Sequence, residues 1–139
     1  MANQTERGAT SVLQTESYQW IPFPIPGATG NLEAAILNAD IELGAIVAVL
    51  RMPPGARIPA HYHKQSREEF YVLEGDFINK NQVYAAGAFF AIKLFDVHGP
   101  HETKTDCLLM FMQSTEVDPT DFFIDESDEA FAIFKGENL

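Results

Sequence analysis

A chain of 139 residues has room for one domain with a single core and none for a second catalytic unit. Eleven phenylalanines and four tyrosines place it among globular rather than disordered sequences. A formal charge of −11 repels phosphate backbones and anionic lipid, so nucleic acid and membrane surfaces are excluded as electrostatic partners and a small neutral or metal-held ligand is expected.

Residues 1–17 are polar, mixed in charge and aperiodic, with no apolar segment of the kind a secretion signal needs. They read as a flexible N-terminal arm, and residues 18–139 as the folded domain. WIPFPIPGATG follows, where three prolines and two glycines exclude a regular helix and leave an extended lead-in whose Trp20 and Phe23 pack onto the domain wall. Six short runs rich in Val, Ile, Phe and Leu come next, separated by turn residues: EAAILNA, GAIVAVLRM, EEFYVLEGDF, QVYAA, AFFAIKL and CLLMFMQ. Short strands at this spacing predict an all-β sandwich or barrel. Near the end, DESDEAFAIFKG reads as a short helix capped by Asp125 or Ser127, with a final strand as the alternative. The acidic stretch DPTDFFIDESDE reads as a solvating segment. No internal repeat or low-complexity tract is present.

The single cysteine, Cys107, has no intramolecular disulfide partner and reads as a small buried side chain in a strand. No apolar run approaches the length that spans a bilayer. A cytoplasmic protein is expected.

The four histidines fall into two tight groups, HYH at His61 and His63 and HGPH at His98 and His101. Alternate side chains of a strand share a face, so His61 and His63 present two imidazoles together. A lone pair of this kind is a weak signal, equally read as an exposed polar stripe. The frame around it adds weight: Gly55, five residues, His61, one residue, His63, four residues, Glu68, six residues, Gly75. The turn KQSR can return the chain and bring Glu68 beside the pair, while the stretch from Gly87 to His98 can supply a third imidazole from another strand. Glu69 alternates to the opposite face.

The frame from Gly55 to Gly75 is similar to the first motif of the cupin family, and Gly87 to His98 resembles the shorter second motif; together the likeness covers roughly residues 45–113. The resemblance implies a single-domain jelly-roll barrel (a double-stranded β-helix), usually dimeric, holding one divalent metal through His61, His63 and His98 and often through Glu68. The alternative for Glu68 is a carboxylate that hydrogen-bonds a ligand histidine instead of touching metal. Where the family has proline, glycine and asparagine in the second motif, this chain has Lys93, Phe95 and Glu102. The absent glycine ordinarily allows a backbone angle that phenylalanine resists. His98 is the preferred third ligand on its distance from Gly87. His101 is a substitute ligand, a rim residue, or a group that assists proton transfer.

Strand alternation places Phe70 and Val72 on the face of Glu68, lining a cavity, and Tyr71 and Leu73 outside. Phe90 and Phe111 join the apolar wall by parity. Two large apolar side chains outside a barrel predict a covered outer face, and hence a homodimer.

WIPFPIPG, LRMPPGARIPAHYH, VLEGDF and YAAGAFF resemble a cupin branch that includes acetylacetone-cleaving dioxygenase, 2,4'-dihydroxyacetophenone dioxygenase and the cupin-like domain of zinc-containing anti-sigma factors. The anti-sigma role calls for an additional N-terminal helical domain, for which this chain leaves no space. The resemblance therefore implies an iron(II) dioxygenase that uses dioxygen to cleave a carbon–carbon bond in a small dicarbonyl or hydroxyketone. Zinc, manganese and nickel accept the same imidazoles. The alternatives are a metal- or small-ligand-binding cupin without turnover, acting as sensor or store, and a sugar-type isomerase or epimerase, which predicts a polar cavity.

Overall fold

The proline-rich lead-in is extended as expected: in the computed structural model, which describes residues 10–127, it forms the edge strand β1 (Trp20–Pro22). Trp20 is held against the sheet by the Arg51 guanidinium, 3.9 Å above its ring, and Phe23 packs on Phe111 at 5.9 Å. Residues 10–17 are exposed, with one turn of 3-10 helix at Thr15–Ser17.

The runs of β-branched and aromatic residues become β2 (Glu33–Asn38), β3 (Ile46–Met52), β4 (Arg57–Ile58), β5 (His61–Tyr62), β6 (Glu68–Glu74), β7 (Phe77–Asn79), β8 (Gln82–Tyr84), β9 (Phe89–Ile92), β10 (His101–Glu102), β11 (Cys107–Gln113) and β12 (Phe123–Ile124). One sheet has the order β1-β2-β3-β11-β6-β9, a second β4-β10-β7-β8, and β12 pairs with β5. All the pairings are antiparallel. Because β3, β11, β6 and β9 are neighbours in the large sheet but not in sequence, the chain crosses between layers as a jelly roll does. The expected all-β jelly-roll barrel is present.

Period-two alternation decides which side chains enter the barrel. Along β6, Glu68, Phe70 and Val72 are buried, whereas Glu69 and Tyr71 are exposed. On β11, Cys107, Leu109 and Phe111 point inward opposite Met52, Leu50 and Ala48 of β3. Phe77, Met52 and Val72 are fully buried between the layers, each contributing about 1.5–3 kcal/mol by removal from water. Burial also pushes the Cys107 thiol up to about 12, helped by the charge of Asp76, so this cysteine is an inert core residue. Gly75 closes the β6–β7 turn at φ +80°, and any side chain there would collide with the carbonyl of Asp106.

Two expectations are corrected. The acidic stretch from Asp118 is not merely a solvating segment: Phe123 and Ile124 pair with Tyr62 and His61, Asp125 N–H donates to Ala60 O, and the Arg57 guanidinium bonds the Glu126 carboxylate. These contacts strap the chain across the histidine end of the barrel. Phe95 does not prevent the second-motif turn. It adopts φ +68° itself, and its N–H donates to the His63 carbonyl at 2.8 Å, which locks the turn beside the first motif. The expected C-terminal helix lies largely outside the described residues, although the Asp125 side chain does accept from the Ser127 backbone N–H. No helix of the described residues is long and apolar enough to cross a membrane.

Candidate metal centre

The two histidine groups are joined by backbone before any side chain is considered. His61 and His98 exchange N–H···O bonds of 2.9 Å in both directions, so their side chains leave adjacent strands side by side. Ring centroids lie 4.2 Å apart for His61 and His98, 5.0 Å for His61 and His63, and 5.6 Å for His63 and His98. The turn 64–67 then brings Glu68 to them. One donor atom from each of His61, His63, Glu68 and His98 falls within 4.8 Å of all the others.

In each of the three rings Nδ1 faces a backbone carbonyl: Pro59 O at 2.6 Å from His61, Asp121 O at 2.5 Å from His63, and Asp96 O at 3.1 Å from His98. A carbonyl only accepts, so Nδ1 carries the proton and Nε2 is left to face the cluster, the arrangement that orients metal-binding histidines. Glu68 Oε1 lies 3.2 Å from Nε2 of both His63 and His98. With neutral rings this sets lone pairs against a carboxylate, and only a cation among them, proton or metal, makes the contact favourable. Bonds of about 2.1 Å put neighbouring donors roughly 3.0–3.4 Å apart between right-angled and tetrahedral geometry, and 3.2 Å lies inside that range. The four residues therefore fit a divalent metal ion, and their imidazole and carboxylate donors accept zinc, iron, manganese or nickel alike.

Electrostatics agree with this fit. Burial, aided by His98, pushes His61 down to about 3, which keeps it neutral and ready to ligate. Burial alone also lowers His63, but the hydrogen bond and charge of Glu68 outweigh it, and the net shift is upward. Glu68 shows the converse: burial raises its pKa, and the hydrogen bonds and charges of His63 and His98 more than reverse that, holding the carboxyl well below the usual range.

The site opens into a cavity of about 180 Å³ whose wall includes Leu50, Ile58, Phe70, Leu109 and Phe111. Phe70 and Phe111 thus lie where alternation predicts. Val72 and Phe90 do not line it, a correction to the expected wall. Val72 points inward but one step deeper, in the closed core, and Phe90 packs on Phe70, Phe77 and Tyr84 at the sheet edge. His101 is corrected too. It is no rim residue, being 3 % exposed, and it lies outside the four-residue donor cluster. Burial, with His98 and His61 close by, pulls its pKa well below the ordinary value.

Asp121 and Phe122 are site residues that sequence reasoning did not single out. The Asp121 carboxylate accepts from Lys64 N–H at 2.7 Å, Gln65 N–H at 3.2 Å and Ser66 N–H at 3.1 Å, so it ties down the turn between His63 and Glu68 while its own carbonyl orients His63. Phe122 stacks on His61 at 4.0 Å. The one available signal is the run FFI after the turn DPTD, which has the composition of a short strand.

Comparison with known proteins follows the same line. The polyketide cyclase RemF from Streptomyces resistomycificus is 18% identical, over 84% of this chain and 85% of that one, with a TM-score of 0.66. An acetylacetone dioxygenase from Acinetobacter johnsonii is 16% identical, over 90% of this chain and 93% of that one, with a TM-score of 0.63. The anti-sigma ChrR, solved in complex with SigE of Rhodobacter sphaeroides, is 22% identical over 80% of this chain and 54% of that one, with a TM-score of 0.55. At these identities the likeness is one of fold. No curated protein matches the chain. Residues 9–118 match the family described as the ChrR cupin-like domain, and the chain belongs to that family.

Proposed function

We propose that this protein is a mononuclear metal-dependent cupin working as an iron(II) dioxygenase, which cleaves a carbon–carbon bond in a small dicarbonyl or hydroxyketone. The observation that carries the reading is the convergence of His61, His63, Glu68 and His98 at the head of an apolar cavity. Bound iron would supply a Lewis acid for a two-oxygen chelate and the one-electron chemistry that dioxygen requires.

The residues themselves perform three tasks. The backbone carbonyls of residues 59, 96 and 121 hold each Nδ1–H, which presents Nε2 to the cation. Glu68, held ionised beside Nε2 of His63 and His98, offsets cationic charge. Phe70, Leu109 and Phe111 keep water from the reacting carbon. Among the described residues no Lys or Arg lines the cavity, whereas Glu116 and Asp118 do, which sets negative charge against an obligate polyanion. A neutral diketone or hydroxyketone avoids that repulsion and becomes anionic by giving up a proton, which the Glu68 carboxylate at the cluster is placed to accept. The same apolar wall disfavours a sugar isomerase or epimerase.

Tyr71 and Phe89, 40% and 58% exposed on the outside of the large sheet, support a homodimer. Sedimentation showing only a 15.5 kDa species would remove that part of the reading. Oxygen uptake by anaerobically iron-loaded protein, with a panel of β-diketones and hydroxyketones, tests the activity. One equivalent of O₂ consumed per substrate cleaved supports it. No uptake with any compound favours the second reading, a metal- or ligand-binding module without turnover, which the ChrR cupin-like family match supports.

A further inference from the structure

The fourth histidine has no place in the metal cluster and no hydrogen-bond partner among the described residues. His101 opens β10, where its backbone pairs with Ile58 and Asn79 and its side chain turns into the barrel. On one side it meets His61 and His98, with ring centroids at 5.8 and 5.3 Å; on the other it meets Phe70 edge-on at 5.4 Å and stacks on Phe77 at 5.0 Å. Both Nδ1 and Nε2 are buried, and no described residue hydrogen-bonds to either. The ring nevertheless borders the cavity that the metal cluster heads.

A neutral imidazole has one N–H to donate and one lone pair to fill, and burying both unmatched is unfavourable. Phenylalanine in the same place would stack on Phe77 without that penalty. An unsatisfied N–H beside a cation site, on a ring that borders the same cavity as Phe70, Leu109 and Phe111, is what a ligand oxygen would need from the protein. We propose that His101 is a specificity-determining residue that donates a hydrogen bond to an oxygen of the small molecule held at the His61, His63, Glu68 and His98 cluster. It thereby selects an oxygen chelate, an enolate or hydroxyketone, over an apolar occupant. This inference rests on the metal-site reading above and adds the group that reads the ligand.

Zinc-loaded protein titrated with acetylacetone tests it without reference to turnover. His101→Phe should take one zinc per chain with affinity within about twofold of wild type, yet bind acetylacetone about tenfold more weakly, the loss of one hydrogen bond. His101→Gln, which keeps an N–H donor, should recover most of the affinity. In the wild type, the ring ¹⁵N resonances of His101 should shift when acetylacetone is added, a readout that does not depend on any variant folding. Unchanged resonances, or acetylacetone bound equally well by His101→Phe, overturn the inference alone. So does loss of zinc in that variant, since His101 would then be a ligand, and so does a zinc-loaded wild type that ignores acetylacetone. A wild type that takes up no zinc overturns the metal reading and this inference together.

Discussion

Replacing Asp121 with alanine removes the carboxylate that accepts from three consecutive backbone N–H groups, at 2.7 Å from Lys64, 3.2 Å from Gln65 and 3.1 Å from Ser66. A hydrogen bond to a charged group contributes about 1.5–3 kcal/mol. Lys64 and Gln65 are exposed and their N–H groups can turn to water, whereas Ser66 is buried and its N–H would be left unmatched. The expected loss is therefore nearer two such bonds than three, about 3 kcal/mol, or roughly 10 °C in Tm for a chain of this size. Asp121→Asn keeps one acceptor oxygen and should lose about half as much. The turn also sets the spacing from His63 to Glu68, and the Asp121 carbonyl orients the His63 ring, so zinc affinity should fall about 10- to 100-fold. Thermal melts of the metal-free variant and zinc titration against a competing chelator read the two effects separately. A melting point within about 1 °C of wild type, with zinc affinity intact, would refute the reasoning. A large drop in Tm with unchanged zinc affinity would show that the strap stabilises the barrel without orienting His63.

Phe95→Gly should raise stability by about 0.5–1 kcal/mol, because a left-handed backbone costs a side-chain-bearing residue about 1–2 kcal/mol and glycine gives back only part of that in chain entropy; a lower Tm would mean that the exposed ring's contact with Tyr62 outweighs the relief. In metal-free protein, His61 stays neutral when folded while the unfolded chain takes up its proton below pH 6.5 or so, so acid weakens the fold by about 1.7 kcal/mol between pH 6.5 and 5, and the downward-shifted His101 acts in the same direction. The upward-shifted His63 contributes its full stabilisation below its unfolded pKa and so adds no slope in that window. Urea melts at pH 5, 6 and 7 check this, and a flat profile would contradict it. Cys107, buried and shifted to about 12, should resist thiol reagents at pH 8 until the protein unfolds, and rapid labelling of native protein would show the β11 core to be open.

Most of the barrel was legible because alternation is a local property: EEFYVLE and CLLMFMQ each declare their buried face residue by residue, and β6 and β11 bear that out. The spacing from His61 to Glu68 was legible for the same reason, since two alternating side chains and a short turn bring three of the groups together. What stayed hidden depends on contacts distant in sequence. The Asp121 carboxylate reads as one more surface charge until the turn 55 residues away supplies its N–H groups. The burial of His101 depends on Phe70 and Phe77, strands apart, closing over it. Parity gave Val72 and Phe90 the wrong surroundings because it assigns a face of a strand but not a depth within the barrel.

A crystal structure of the zinc-loaded protein, with anomalous data at the zinc edge, tests the central claim most directly. One peak per chain within about 2.0–2.2 Å of Nε2 of His61, His63 and His98 is the predicted result. A peak elsewhere on the chain, or none after loading, would contradict it.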